Sequence, residues 1–391
     1  MGELVAATVR GLQSAGVAAG LKHFPGLGDV ADDSHHELPT LDLSPGALAL
    51  RELVPFRAGI AAGARVVMSA HLAVPSLTGD ASSPATLSRR VMTGLLRDEL
   101  GFQGVSITDA LDMGALDQAT IGSGAVAALR AGIDLLMTAP DPAARGRIEQ
   151  GLTEAASQGL LAADDAARSA ARLATLHRWL AGFPQLDLSV VRSAAHLELA
   201  DELATRSITL VRDDDGLMPL RLAPGARILA IQPLPPDQTP ADTTSTVAPG
   251  LASALREQFA AVDEIVVPHA PSPDGIAAVR DAARAPDVSA VVVGTSAAFL
   301  EPAQAALVES LLSTGRPVVT VALRTPLDLA AYPAARCHVA TYGILPPTLR
   351  ALAAALAGAA PFQGRLPAAI PGLHVTGHGL VTEPAPAAAG R

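Results

Sequence analysis

The sequence predicts an α/β fold: about half of a (β/α)8 TIM-type barrel, followed by a second α/β domain. Two observations carry this. Short apolar runs alternate with helical patterns along the chain. In the first 150 residues, four of these runs end in polar or special residues, and chemistry recurring at the carboxyl ends of successive parallel strands marks a (β/α)8 barrel. A third observation bounds the prediction. A closed barrel needs eight strand–helix units and only four are legible here, so about half a barrel is expected.

The four runs are VAAGLKHF (17–24), ARVVMSAHL (64–72), GVSITDAL (104–111) and IDLLMTA (133–139). They end in Lys22-His23, Ser69 and His71, Thr108-Asp109, and Thr138. Between them the pattern turns helical, as over 88–100, with Ser88 the expected N-cap. Residues 151–206 read as a helical linker, because apolar residues recur at helical spacing in ADDAARSAARLATLHRWLAG and AAHLELADELATRS. Six further strands are expected at 207–213, 226–234, 263–270, 288–296, 316–325 and 337–343. Helices such as 302–314 intervene, giving a doubly wound or sandwich domain over 207–373. The stretch 374–391, rich in Gly, Pro and Ala, is expected to be a flexible tail.

Composition excludes several classes of function. A chain of 391 residues, 49% of them apolar, supports two or three domains with sizeable cores. The net charge is −10 and no basic run occurs, which argues against nucleic acid as a partner. Cys337 is the sole cysteine, so intramolecular disulfides and cysteine-based zinc sites are excluded. No stretch approaches the roughly 18 apolar residues of a membrane span. The start, MGELVAATVRGLQSAG, carries an early Glu3 and no preceding apolar segment, so it does not read as a signal peptide. The compartment stays open: a preceding segment carrying a signal or lipoprotein anchor would make it extracellular or cell-envelope.

The densest chemistry lies in GLKHFPGLGDVADDSHHELP (20–39). Asp33 and His35, two residues apart, can approach one another. A carboxylate holding one ring nitrogen fixes the tautomer and leaves the other nitrogen for proton transfer; the plain alternative is a solvated turn. Asp32 and His36 read as bystanders on the same loop. Lys22 and His23 end a strand and can donate hydrogen bonds to hydroxyls or an amide oxygen. Asp109 follows the apolar run Val105-Ser106-Ile107 and should sit at a strand mouth, where a carboxylate serves as nucleophile or stabilises a cation; capping a helix is the plain alternative. No H-x-H or H-E-x-x-H spacing occurs, so no metal site is expected. In the second domain, VVVGTS lacks a G-x-G-x-x-G continuation, and Gly294 reads as a strand-end turn.

Taken in order, KHFPGLGDVADDSHHELP, VPFRAGIAAGARVVMSAHL and SPATLSRRVMTGLLRDELGFQGVSITDALDM resemble glycoside hydrolase family 3. More narrowly they resemble its β-N-acetylglucosaminidase (β-hexosaminidase) branch, marked by a His in the D-S-H loop. Downstream, LADELATRSITLVRDDDGLMPL and TYGILPP…LAGAAPFQGRLPAAIPG are similar to the linker and C-terminal α/β sandwich of two-domain members, so the likeness runs from about 5 to about 373. The resemblance implies a catalytic nucleophile at Asp109, a general acid/base at His35 and its hydrogen-bonded partner at Asp33. It implies sugar binding by Lys22 and His23, and it places His71 and Met113 in motifs near the pocket. The activity implied is retaining hydrolysis of terminal β-linked N-acetylglucosamine, from cell-wall muropeptides or related carbohydrates, with no cofactor and no metal. Phosphate competing with water as acceptor is a further implication of a His acid.

One departure stands out. The family's barrel begins earlier than this chain, so the chain reads as an N-terminally truncated two-domain member, whose activity as it stands is open. Two other readings remain. One is a metal-dependent hydrolase on a similar barrel. The other is a catalytically dead remnant serving as a binding or structural module.

Overall fold

Short apolar runs, most of them rich in valine, isoleucine or leucine, form the strands. The structure, a computed structural model, describes residues 1–223, 225–237, 239 and 242–383. It divides into two compact units, Met1–Leu186 and Asp187–Arg391.

In the first unit, β1 (Gly20–Phe24), β2 (Val66–Ser69), β3 (Val105–Ala110) and β4 (Leu135–Met137) form one sheet in that order, all parallel. Register runs through Gly20–Val66–Val105 and from Ile107 to Leu135. Helices connect the strands, among them Leu53–Ala61, Arg90–Glu99 and Ile121–Ala131. The core lies between sheet and helices. Phe24 and Phe56 meet edge to face at 5.2 Å, and Val67, Leu72, Met92, Leu96, Phe102 and Ile133 surround them. Parallel strands joined this way send their carboxyl ends to one rim, the rim that carries the candidate residues.

Three local expectations change. Ser88 does not cap its helix through its side chain. The helix starts at Arg90, Arg89 holds the N-cap position, and the amides of Val91 and Met92 bind the backbone carbonyl of Ser88 instead. The first unit also extends past residue 150. Helix Ala163–Leu180, expected in a linker, is tied to the residue before β4: Ser169 and Arg172 donate to Asp134 at 2.6 and 2.8 Å. Arg65 also lies 4.3 Å over the Trp179 ring. Helix Ala194–Ser207 belongs to the second unit.

The second unit holds β5 (Thr209–Asp213), β6 (Arg227–Pro233), β7 (Val262–Val267), β8 (Val288–Thr295), β9 (Val318–Ala322) and β10 (Cys337–Ala340). Their order is β5-β10-β9-β8-β6-β7, with β5 antiparallel to β10 and the rest parallel. Val291, Val292 and Val293 are all fully buried, as a central strand covered on both faces requires. Helices Ala194–Ser207 and Pro346–Ala357 cover one face, and Pro273–Ala283 and Pro302–Leu312 the other, making an α/β sandwich. Residues 374–383, expected to be loose, are fastened to β5: the Leu380 amide donates to Leu210 and His378 Nε2 to the Val211 carbonyl, each at 2.8 Å. The rest of the expected tail, 384–391, lies outside the described residues.

Candidate active site

Asp109 is the fifth residue of β3, at the carboxyl rim of the sheet. Its Oδ1 accepts from the Ala110 amide at 2.9 Å, which turns Oδ2 toward β1. There His23 Nε2 lies 3.5 Å from Oδ2. His23 is 24% and Asp109 16% exposed, so both are partly buried. Burial holds the His23 imidazole below its ordinary value; Asp109 pulls the other way, while Lys22 and His35 add to the lowering. Lys22 precedes it on β1 and is exposed.

The loop after β1 carries the second group. His35 Nδ1 sits 2.6 Å from Asp33 Oδ1, and the same oxygen accepts from the His35 amide at 2.9 Å. That amide bond, more than any other influence, lowers the Asp33 carboxyl below the usual range. With Asp33 ionised the hydrogen is on Nδ1, and Nε2 is left to exchange protons. The amides of His36 and Glu37 both donate to the Asp33 carbonyl, closing a tight turn around the pair. This turn is docked on the loop after β3. The Gly114 amide donates to the His35 carbonyl at 3.0 Å, and the Ala115 amide to the Ser34 carbonyl at 3.2 Å. The structure thus brings His23, Asp33, His35 and Asp109 to one rim.

His71 and Met113 are set differently. His71 is 1% exposed, with Nε2 donating to the Ala110 carbonyl at 3.0 Å and Nδ1 3.0 Å from the Thr86 hydroxyl. His71 thus has both nitrogens engaged within the fold. It clamps the strand end next to Asp109, and burial keeps its pKa low. Met113 is buried in the turn after β3, where its carbonyl takes Gln118 Nε2 at 3.0 Å.

Three residues here escape sequence reasoning. Gln118 also reaches the carbonyls of Leu111 and Leu116, fixing the loop after β3. Thr86 supports His71. Gly114 receives the D-S-H turn, and a glycine in a loop carries no signal of that role. Among the described residues, no three His, Cys, Asp or Glu side chains converge as a metal-holding group, and no helix is long and apolar enough to cross a membrane. A cavity of about 600 Å³ lies away from this rim, toward the amino ends of the strands, lined by Arg89, Arg97, Arg130, Arg168 and Arg172.

A carboxylate at the rim, and on the same rim an imidazole locked by a second carboxylate, are the groups that nucleophilic attack and proton transfer require. Comparison with known proteins points the same way. Residues 1–176 match the family described as Glycosyl hydrolase family 3 N terminal domain, and residues 208–378 match Glycosyl hydrolase family 3 C-terminal domain. Beta-hexosaminidase A of Pseudoalteromonas piscicida is 36% identical over 238 residues, covering 55% of this chain and 39% of that protein. Beta-hexosaminidase of Stenotrophomonas maltophilia (strain K279a) is 47% identical over 110 residues, 28% of this chain and 32% of that protein. The matched segments therefore span well under two thirds of these curated relatives. Among solved structures, a glycoside hydrolase family 3 β-N-acetylglucosaminidase from Paenibacillus sp. str. FPU-7 superposes with a TM-score of 0.85 at 34% identity, covering 93% of this chain and 69% of that one. With both family segments matched in order, and that solved relative followed over more than two thirds of its length, the chain belongs to glycoside hydrolase family 3.

Proposed function

We propose that the chain carries the catalytic groups of a retaining glycosidase that removes terminal β-linked N-acetylglucosamine. The observation that carries this is the Asp33–His35 pair, bonded at 2.6 Å and docked on the loop that follows Asp109. The substrate class comes from the relatives, two named β-hexosaminidases and one β-N-acetylglucosaminidase.

The chemistry runs in two steps. Asp109 attacks the anomeric carbon while His35, as imidazolium, gives its Nε2 proton to the departing oxygen. The bond to the aglycone breaks and a glycosyl ester forms on Asp109. Neutral His35 then takes a proton from water through Nε2, and the water oxygen displaces Asp109 from the anomeric carbon. Two inversions leave the configuration retained. Retaining enzymes generally use two carboxyl groups for this work; here a carboxylate-backed imidazole takes the place of the second. Asp33 holds the proton on Nδ1 throughout and stabilises the imidazolium. Lys22 and His23 are positioned on β1 to donate to the sugar beside Asp109.

The test is turnover of p-nitrophenyl β-N-acetylglucosaminide against the matching β-glucoside, with the first-formed anomer read by NMR. The reading expects preference for the N-acetyl sugar and release of its β-anomer. Release of the α-anomer, or no turnover of either glycoside, would overturn it.

A further inference from the structure

We propose that Gly114 is the positioning residue of the acid/base loop: its bare backbone is the dock that sets His35 against Asp109. This rests on the glycosidase reading above. Residues Ala31, Asp32, His36 and Glu37 are exposed, so the D-S-H turn has little apolar packing to hold it. Among the described residues, the backbone hydrogen bonds that lead out of residues 30–38 to the rest of the fold, short of Pro39, are the two from Gly114 and Ala115.

The dock tolerates no side chain. A Cβ on Gly114 would lie 2.5 Å from the His36 carbonyl oxygen, 2.7 Å from that of His35 and 2.8 Å from the His36 carbonyl carbon. All three are backbone atoms, so no rotamer relieves the overlap, and the turn itself must back away. Gly114 is otherwise exposed and lies outside both core clusters of its unit. The nearest atoms an alanine there would meet all belong to the D-S-H turn.

The turn would move as a unit. The bonds that define the dyad, Asp33 to the His35 ring and amide and the Asp33 carbonyl to His36 and Glu37, are all internal to it. Gly114→Ala therefore leaves the dyad formed but displaced, while Asp109, bonded to the Ala110 amide on β3, stays in place. A displacement near 1 Å is enough to cost about 100-fold in a positioned reaction. The loss should fall on proton transfer and spare nucleophilic attack.

The experiment compares phenyl and 2,4-dinitrophenyl β-N-acetylglucosaminides, since only the first needs its leaving oxygen protonated. Gly114→Ala should lower kcat/KM for the phenyl glycoside by about 100-fold, the scale of a lost general acid, and change the dinitrophenyl glycoside far less, with an unaltered unfolding midpoint. Equal losses on both, or no loss on either, overturn the proposal. Amide hydrogen exchange gives a readout independent of activity. Gly114 and Ala115 amides should be protected in the unsubstituted chain and exposed in Gly114→Ala; free exchange in the unsubstituted chain overturns the dock. If the unsubstituted chain turns over neither glycoside, the glycosidase reading fails, and the exchange measurement still decides the dock.

Discussion

His23 Nε2 reaches to within 3.5 Å of Asp109 Oδ2 although their strands, β1 and β3, are not neighbours. β2 lies between them and ends in Ser69, with Ala70 following, both small residues. Alternate strands feeding one layer is how a (β/α)8 sheet packs its interior. The contact also orders the electrostatics of the rim. Burial drives His23 toward its neutral form and Asp109 resists. A neutral His23 can still donate one hydrogen bond to a ligand, without neutralising the carboxylate proposed to attack.

Replacing Asp109 by Asn tests both halves of that relationship. Turnover of an aryl β-N-acetylglucosaminide should fall by several orders of magnitude, because the proposed nucleophile is gone. The upward pull on His23 is lost as well, so its imidazole should titrate lower still, followed by NMR of the ring protons. A near-normal rate in Asp109→Asn would remove the nucleophile assignment. An unmoved His23 titration would say the two groups do not feel each other.

Asp33 acts through His35, so its loss should look like a weakened acid. Asp33→Ala frees the His35 ring to take either tautomer and removes the negative charge that stabilises the imidazolium. The expected loss in kcat/KM is on the order of 10²-fold or more for poorly activated leaving groups, and small for activated ones. A leaving-group dependence identical to the parent would contradict this.

Much of this was legible because polar residues punctuate apolar runs. Asp109 announced itself by following Ser106, Ile107 and Thr108, and the Asp33–His35 contact by a spacing of two. What was hidden depends on partners distant in the chain. The ties of the His71 ring to Thr86 and the Ala110 carbonyl, 15 and 39 residues away, carry no sequence signal. Helix Ala163–Leu180 buries none of its residues and so resembles a linker; its polar ties to Asp134 do not show in periodicity. Residues 374–383 have the composition of a tail, yet backbone hydrogen bonds to β5 hold them. Gly114 could not be told from other loop glycines until the D-S-H turn was seen against it.

Asp134 should be the most sensitive polar position of the first unit. Its side chain is fully buried, with Oδ2 taking Arg97 at 2.8 Å and the Ser106 amide at 2.8 Å, and Oδ1 taking Ser169 and Arg172. It joins β3, β4 and two helices at one point. Burial pushes the Arg97 guanidinium down to about 10, against the pull of Asp134. Removing the carboxylate strands that buried charge, so Asp134→Ala should cost about 3–5 kcal/mol. Arg97→Met with Asp134→Leu should recover much of the loss, since an apolar pair needs no desolvated charge. Urea unfolding of Arg97→Met, Asp134→Leu and the double variant supplies the cycle, and additive losses would mean the pair is not coupled.

The second unit should carry an acid sensitivity centred on His338. It is fully buried in β10, with Nδ1 2.9 Å from the Thr320 hydroxyl and Nε2 enclosed without a hydrogen-bond partner among the described residues. Burial first, then the charges of Arg212 and His374, bring its pKa down to about 3 from 6.5. The unfolded chain therefore binds this proton below about pH 6.5 while the folded chain does not until about pH 3. Between those limits the stability His338 contributes falls as pH falls, by about 1.4 kcal/mol per pH unit. Asp328 works in the opposite sense. Burial raises it from 3.8 to about 6, so the folded state holds an extra proton between those values and gains stability on acidification there. The two offset each other across that shared window, and only a difference measurement separates them. Urea midpoints of His338→Gln and the parent, taken at pH 8, 6 and 5, should converge or cross as pH falls, the variant gaining on the parent below about pH 6.5. A constant gap across that range would mean that His338 takes up its proton equally in both states.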